Sequence, residues 1–406
     1  MSDYGSPART AGLIAGPTAG RRTVSDPARG AVSPWRRIDW VLVGSAVALA
    51  VLGSLLVWAA TKQRQLDAGA DPAYYFKRHL MNAVVGIVLG VVITGTNYRL
   101  LRRLAPAVYL LSCLGLVAVL AIGTTINGAH SWIALPAGFE VQPSEFAKVG
   151  LILSMATLLS QRRERKNRQR PFLDVPLALL LAAVPMGLIV LQPDIGTIFV
   201  FIFTIFGMFC VAGVSWRWML ALVAAGVVVA FLAVSMHVLK NYQLDRFRAF
   251  TSPDKETLGA AYNVRQARIA IGSGGWTGTG LFKGPQTNGG YVPEQQTDFV
   301  FSVAGEELGF VGAAGIVVLF ALMLWRALRI SGRSPDLFGR LVAAGVASWF
   351  CFQVFQNIGM DLGLMPVTGL PLPFVSYGGS SMFANFLAVG LLLNVHLRST
   401  VEPRGR

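Results

Sequence analysis

Charge is scarce in this sequence. Asp, Glu, Lys and Arg make up 14% of the 406 residues, against about 25% in a soluble domain. With 54% of the chain hydrophobic, the apolar surplus exceeds what one water-facing core can hide, so it must face lipid. Histidine is nearly absent, with four in the chain, which argues against a His-rich metal site. Cys113, Cys210 and Cys351 each lie inside an apolar run, with no paired framework or metal-ligand spacing. They read as small apolar fillers. No internal repeat is visible, so a repeat-built transporter gains no support.

What is present is a succession of long apolar runs. A bilayer core needs about 20 mostly apolar residues per helix. The runs predict an all-α polytopic membrane protein with ten transmembrane helices, near 39–60, 80–97, 104–123, 144–160, 172–191, 195–213, 217–237, 301–326, 338–360 and 379–397. One set of connections is basic. It holds Arg36 and Arg37, then Arg99, Arg102 and Arg103, then the run from Arg162 to Arg170, then Arg217, Arg326, Arg329, Arg333, Arg340 and Arg398. The opposite set, at 124–143, 191–194 and 361–378, has no Lys or Arg. The positive-inside rule then puts both termini in the cytoplasm. The net charge of +15 is thus a matter of topology, and no nucleic-acid partner is implied. Residues 1–34, rich in Gly, Ala, Pro, Ser, Thr and Arg, read as a disordered cytoplasmic tail. They do not read as a signal peptide, because no apolar core precedes Trp35. Residues 35–398 read as the membrane domain, 238–300 as its large extracytoplasmic loop between the seventh and eighth helices, and 399–406 as a short cytoplasmic tail. Within the loop, Ala261–Ile271 has the pattern of an interfacial amphipathic helix.

Five motifs fall on the outer side. Gln142-Pro143-Ser144-Glu145-Phe146-Ala147-Lys148 opens the fourth helix. Glu145 and Lys148, three apart, share a helix face. They line a cavity, as ionisable groups at membrane depth usually do, or form a structural pair behind a Ser144 cap. In Leu191-Gln192-Pro193-Asp194-Ile195-Gly196-Thr197, Asp194 is an N-cap for the sixth helix, a role compatible with lining a cavity. The glycine-rich stretch 271–280, followed by Gly284-Pro285-Gln286, allows close approach to a diphosphate or is simply a flexible loop. No strand precedes it and it faces outward, so no nucleotide cofactor is implied. The stretch Val292 to Gly309 contains Glu294 and Asp298. Asp298 stands where the loop enters the eighth helix, as an N-cap or as a general base. Last, the proline- and glycine-rich 366–381 contains Ser376, Tyr377, Gly378 and Gly379. It is a re-entrant loop against a cavity, where non-helical backbone is tolerated at membrane depth, or a surface loop.

Taken in order, QPSEFAK, LQPDIGT, IAIGSGG, VPEQQTDFVFSVAGEELG and SYGGSS resemble the SEDS family (shape, elongation, division and sporulation) from about Trp35 to Arg398. Within it, IAIGSGG and the stretch Asn357-Ile358-Gly359-Met360 with PVTGLPLPF resemble the elongation branch. The resemblance implies a peptidoglycan glycosyltransferase in the bacterial cytoplasmic membrane that uses lipid II. It also implies a class B penicillin-binding protein as transpeptidase partner. Asp298 matches the family's catalytic aspartate, and Glu145, Lys148, Asp194 and Arg246 match its other polar cavity positions. Arg78 matches the first residue of a family Arg-Gln pair, with His79 in place of the glutamine. Ser131 precedes Trp132 where members often carry Arg, and Gln295-Gln296 replaces a frequent Arg-His.

The chemistry suits these residues. A sugar hydroxyl attacks an anomeric carbon while a lipid diphosphate leaves, and one carboxylate, Asp298, can take the proton. Inversion needs no second, nucleophilic carboxylate. The leaving diphosphate needs cations: Lys148, Arg246 or a bound Mg2+ or Mn2+, for which Asp298 and Glu145 are suitable oxygen ligands. Gln286, Glu294, Ser376, Tyr377, Gly378 and Gly379 complete the expected substrate or diphosphate contacts. Two rival classes use the same residues: a flippase for lipid II, and a non-enzymatic scaffold for wall synthesis.

Overall fold

The computed structural model describes residues 37–126, 129–134, 140–166, 171–236 and 259–399. The expected tail at 1–34, residues 400–406 and Arg246 lie outside them. Among the described residues are thirteen helices and three short strands. The helices are α1 (Trp40–Asp67), α2 (Tyr74–Gly95), α3 (Tyr98–Ile122), α4 (Pro143–Lys166), α5 (Pro171–Leu191), α6 (Ile195–Ala212) and α7 (Trp216–Ser235), then α8 (Ala260–Ser273), α9 (Pro285–Asn288), α10 (Val300–Glu307), α11 (Gly309–Arg333), α12 (Leu337–Asp361) and α13 (Gly379–Ser399). All ten expected spans fall on helices. Eight of them (α1, α2, α3, α5, α6, α11, α12 and α13) are long and apolar enough to cross a membrane. The chain is a polytopic membrane protein.

Burial sorts these eight. The apolar windows of α12 and α13 are 78% buried, those of α2, α3 and α5 only 28% and that of α11 22%. The first two are therefore core helices, and the others turn wide apolar faces outward. Close packing without a water-driven force relies on small residues at the contact. At the α2–α13 crossing a Cβ on Gly390 would come within 2.5 Å of the Gly90 carbonyl oxygen, so this contact requires glycine. Asn394 of α13 also donates to the carbonyls of Ile93, Thr94 and Thr96, at 2.9, 3.0 and 2.7 Å. It thereby caps the C-terminal end of α2, where carbonyls run out of helical donors.

Three expectations need correction. The eighth span is broken: α10 ends at Glu307 and α11 begins at Gly309, whose φ is +66°. The glycine-rich stretch is neither a flexible loop nor an open anion cradle. Its Thr279 and Gly280 amides donate to the carbonyls of Glu306 and Glu307, both at 3.0 Å, and its Gly275 and Trp276 carbonyls accept from Phe310 and Val311 at 2.9 and 3.1 Å. The glycines are needed for this docking, since a Cβ on Gly278 would fall 2.1 Å from the Glu307 carbonyl oxygen. The predicted helix at 261–271 is present within α8, but its buried face, with Ala267, packs against Val292, Phe299 and Met360. The segment 124–141 adds a small antiparallel sheet, β1 (Thr124–Ile126), β2 (Ala129–Ala134) and β3 (Glu140–Val141), in the order β1-β2-β3.

Candidate active site

Residues 362–378, between α12 and α13, are not helical. Their carbonyls need donors at membrane depth, and α12 supplies them. Gln353 Nε2 donates to the Pro371 carbonyl at 2.7 Å, Gln356 Nε2 to that of Pro366 at 2.8 Å, and Asn357 Nδ2 to that of Leu370 at 2.8 Å. Leu370, Leu372, Phe374, Val375 and Ser376 are buried, and the Ser376 hydroxyl accepts from the Leu372 amide at 2.8 Å. The segment is built into the protein, which rules out the surface-loop alternative. Sequence reasoning did not single out the three amides. Their spacing, i, i+3 and i+4 on one face of an apolar helix, was the available signal.

Asp298 is fixed from two sides. Glu294, at φ +53°, opens a tight turn in which its carbonyl accepts from the Thr297 and Asp298 amides at 3.1 and 3.0 Å. Its carboxylate accepts from the Thr297 hydroxyl at 3.2 Å and from Gln296 Nε2 at 3.3 Å. Gln295 Nε2 donates to the Ala60 carbonyl on α1 at 2.6 Å. From the other side, Asn357 Nδ2 donates to the Asp298 carbonyl at 2.7 Å. Phe299 holds the N-cap position of α10, and its own side chain makes no capping bond. The Ser302 amide of the first turn instead donates to Asp361 Oδ2 at 3.0 Å. The N-cap position thus falls one residue after Asp298, whose carboxylate is half-buried beside Gly369, where a Cβ would meet Asp298 Oδ2 at 3.4 Å. Because Asn357 serves two buried carbonyls, Asn357→Leu should cost about 1–3 kcal/mol for each acceptor left unpaired. The thermal midpoint in detergent reads this out. An unchanged midpoint would show that water replaces the amide at both carbonyls.

Glu145 and Lys148 form a buried ion pair, 2.7 Å apart with each side chain 1% exposed. Lys148 Nζ also donates to Gln353 Oε1 at 3.3 Å and lies 4.5 Å from the Trp349 ring centroid. The pair is thus tied, through Gln353 and Pro371, to the same segment that flanks Asp298. Ser144 is not a cap: its buried hydroxyl oxygen has no hydrogen-bond partner. Asp194 does cap α6, accepting from the Thr197 amide at 3.1 Å and its hydroxyl at 2.7 Å. Asp194 Oδ2 also accepts from Gln142 Nε2 at 3.2 Å. The Gln142 amide in turn donates to the Ser380 hydroxyl at 2.9 Å. Motifs far apart in sequence therefore meet on residues 366–381.

Tyr377 completes the convergence. Its amide donates to the Gln296 carbonyl at 2.9 Å, and burial, opposed by the charge of Arg78, pushes its phenol up to about 12. A Cβ on Gly379 would sit 3.3 Å from the Asn82 side-chain nitrogen, and the Gly378 carbonyl accepts from the Met382 amide at 3.1 Å. Gln286 lies on α9, where its backbone amide and that of Thr287 donate to the buried Glu306 carboxylate at 2.7 and 2.9 Å. Glu307 accepts from the Phe282 amide at 3.0 Å. Both glutamates therefore stitch the loop to α10. Among the described residues no three His, Cys, Asp or Glu converge as a metal site, and the Glu145 carboxylate is already engaged by Lys148.

A family of cell cycle proteins, that of FtsW, RodA and SpoVE, matches residues 39–401. The chain belongs to this family. It is 37% identical to a probable peptidoglycan glycosyltransferase FtsW of Trichlorobacter lovleyi, over 90% of this chain and 94% of that protein. It is 36% identical to stage V sporulation protein E of Bacillus subtilis, over 88% and 96%. To the peptidoglycan glycosyltransferase MrdB of Escherichia coli K12 it is also 36% identical, over 88% and 93%. Among solved structures, a chain from a study of a peptidoglycan synthase complex that coordinates polymerization and crosslinking aligns with a TM-score of 0.73 at 32% identity, covering 90% of this chain and 99% of that one. The Thermus thermophilus rod shape determining protein RodA aligns with a TM-score of 0.65 at 33% identity, over 89% and 97%. The identities to FtsW, SpoVE and MrdB relatives are level, so overall identity does not separate the branches of the FtsW/RodA/SpoVE family.

Proposed function

We propose that this chain is a peptidoglycan glycosyltransferase that polymerises lipid II at the outer face of the cytoplasmic membrane, with Asp298 as general base. The observation that carries the reading is the half-buried carboxylate of Asp298, whose backbone carbonyl is held by Asn357 of α12, the helix whose Gln353 also receives Lys148 of the Glu145–Lys148 pair. The family's relatives named as peptidoglycan glycosyltransferases support it. Asp298 takes the proton of the attacking sugar hydroxyl as the oxygen bonds to the anomeric carbon. The bond from that carbon to the lipid diphosphate breaks in the same displacement, with inversion and no second carboxylate nucleophile. Lys148 and Arg246 answer the charge on the leaving diphosphate. Asp298 and Glu145 would be the oxygen ligands for a Mg2+ or Mn2+ ion, which would offset charge on the diphosphate.

Work in cell elongation rests on the IAIGSGG and PVTGLPLPF stretches. A class B penicillin-binding protein as partner is supported by the peptidoglycan synthase complex among the structural relatives. Polymerisation of lipid II by purified protein in detergent, with and without the partner, tests the reading. Flipping needs a sealed membrane and polymerisation does not, so polymer in detergent separates the two. No polymer under either condition would return weight to the flippase and scaffold readings.

The basic asymmetry of the loops sets the orientation. In a cysteine-free background, a cysteine at position 255 should react with an impermeant reagent in intact cells, and one at 165 should be protected. Labelling at 165 with protection at 255 would invert the topology.

A further inference from the structure

Asp361 has no part in the mechanism above, yet its side chain is fully buried at the last position of α12. Burying a carboxyl is costly unless its oxygens find partners. Oδ2 accepts from the Ser302 amide at 3.0 Å, while Oδ1 has no hydrogen-bond partner among the described residues. Ser302 is the third residue of α10, a position whose amide an N-cap side chain usually takes. Phe299, at the N-cap, has no side-chain oxygen to offer, so the acceptor comes from another helix. The turn does not depend on it. The Ser302 amide also reaches the Phe299 carbonyl at 3.1 Å, and the Ser302 hydroxyl donates there at 2.6 Å. The Asp361 bond therefore ties a turn that is already formed to α12.

The tie is one of two. Asn357 Nδ2 donates to the Asp298 carbonyl at 2.7 Å. Asp298 and Ser302 are four residues apart in the sequence, and so are Asn357 and Asp361, which places the latter two on one face of α12. Between the two bonds, Phe299 and Met360 belong to one buried apolar cluster. A turn held at the Asp298 carbonyl alone could swing about that point. The bond four residues further on removes this freedom.

We propose that Asp361 is a positioning residue for Asp298: together with Asn357 it clamps residues 298–302 to α12 and so fixes where the Asp298 carboxylate lies. The effect on rate rests on the polymerase reading above, whereas the clamp itself does not. A general base works only within hydrogen-bond reach of its proton, and a misplacement of about 1 Å can cost a hundredfold in rate. A tie that only adds stability is the competing account. It predicts a lower thermal midpoint and an unchanged rate in whatever protein stays folded.

The test uses the full chain with its partner in detergent, with kcat and KM for lipid II measured well below the thermal midpoint. Asp361→Leu keeps the shape of the side chain and loses the acceptor. Its kcat should fall about tenfold or more while KM stays within about twofold. Asp361→Asn keeps an oxygen for the Ser302 amide and should hold kcat within about twofold of the wild type. Asp361→Ala covers the case in which Asp361→Leu does not fold, and should lose kcat in the same way. Hydrogen exchange gives a second reading: amides of 294–302 should exchange faster in Asp361→Leu and at the wild-type rate in Asp361→Asn. A wild-type kcat in the folded Leu or Ala variant would overturn the proposal. So would equal losses in Asp361→Asn and Asp361→Leu, which would assign the effect to charge rather than to the bond. A wild type that makes no polymer would sink the polymerase reading, and the exchange comparison would still decide the clamp: unchanged exchange in Asp361→Leu removes it.

Discussion

Asp298→Asn should lower lipid II polymerisation by roughly two orders of magnitude or more, the scale of a lost general base. Asparagine keeps the size of the side chain and its carbonyl oxygen, and removes only the capacity to hold a proton. The fold has little reason to object. Phe299 holds the N-cap position of α10, and the backbone amide and carbonyl of residue 298, which the change leaves in place, bond to Glu294 and Asn357. Expression, thermal midpoint and lipid II binding should therefore stay near those of the wild type while chain formation collapses. Polymerisation is to be measured with the partner present, as glycan strand formed per unit time. A wild-type rate in Asp298→Asn would remove this residue from the chemistry.

Lys148→Ala should have an effect as large, but through two causes that need separating. Removing the cation leaves Glu145 buried and uncompensated, a loss of roughly 3–5 kcal/mol for a buried pair broken on one side. It also removes a positive charge for the diphosphate. The double change Glu145→Gln with Lys148→Met separates the two, because an apolar or neutral replacement of a whole buried pair is often close to neutral in stability. We expect the double variant to regain the wild-type thermal midpoint and to remain unable to polymerise lipid II. Recovery of turnover along with stability would make the pair purely structural and would leave Arg246 and a divalent ion to meet the diphosphate.

The helices were legible because lipid imposes a length and a composition on each span, and a run such as 338–360 satisfies both without reference to any neighbour. The break at Leu308 was not legible. The sequence stays largely apolar from Val300 to Arg326 apart from two glutamates, and nothing local shows that those glutamates point back to receive the amides of residues 282, 286 and 287. The same blindness affected the glycines at 274–280. Glycine permits close approach, but only the tertiary structure says whether a diphosphate or another stretch of backbone comes close. Asp298 and Asp194 carried the same ambiguity, a carboxylate at the start of a helix. The cap position separates them, since Asp194 occupies it and bonds to its own helix, whereas Phe299 occupies it in α10. Asp361 was missed because a single acid at the end of an apolar helix looks like an interfacial residue, whereas it holds the first turn of a different helix.

The amide face of α12 has a mechanical consequence. Gln353 touches Lys148 and Pro371, Gln356 holds Pro366, Asn357 holds both Leu370 and Asp298, and Asp361 holds Ser302. A slide of α12 by one residue, about 1.5 Å, would unseat every one of these bonds together. The site therefore has one shared coordinate: its acid, its buried cation and its re-entrant backbone are in register all at once or not at all.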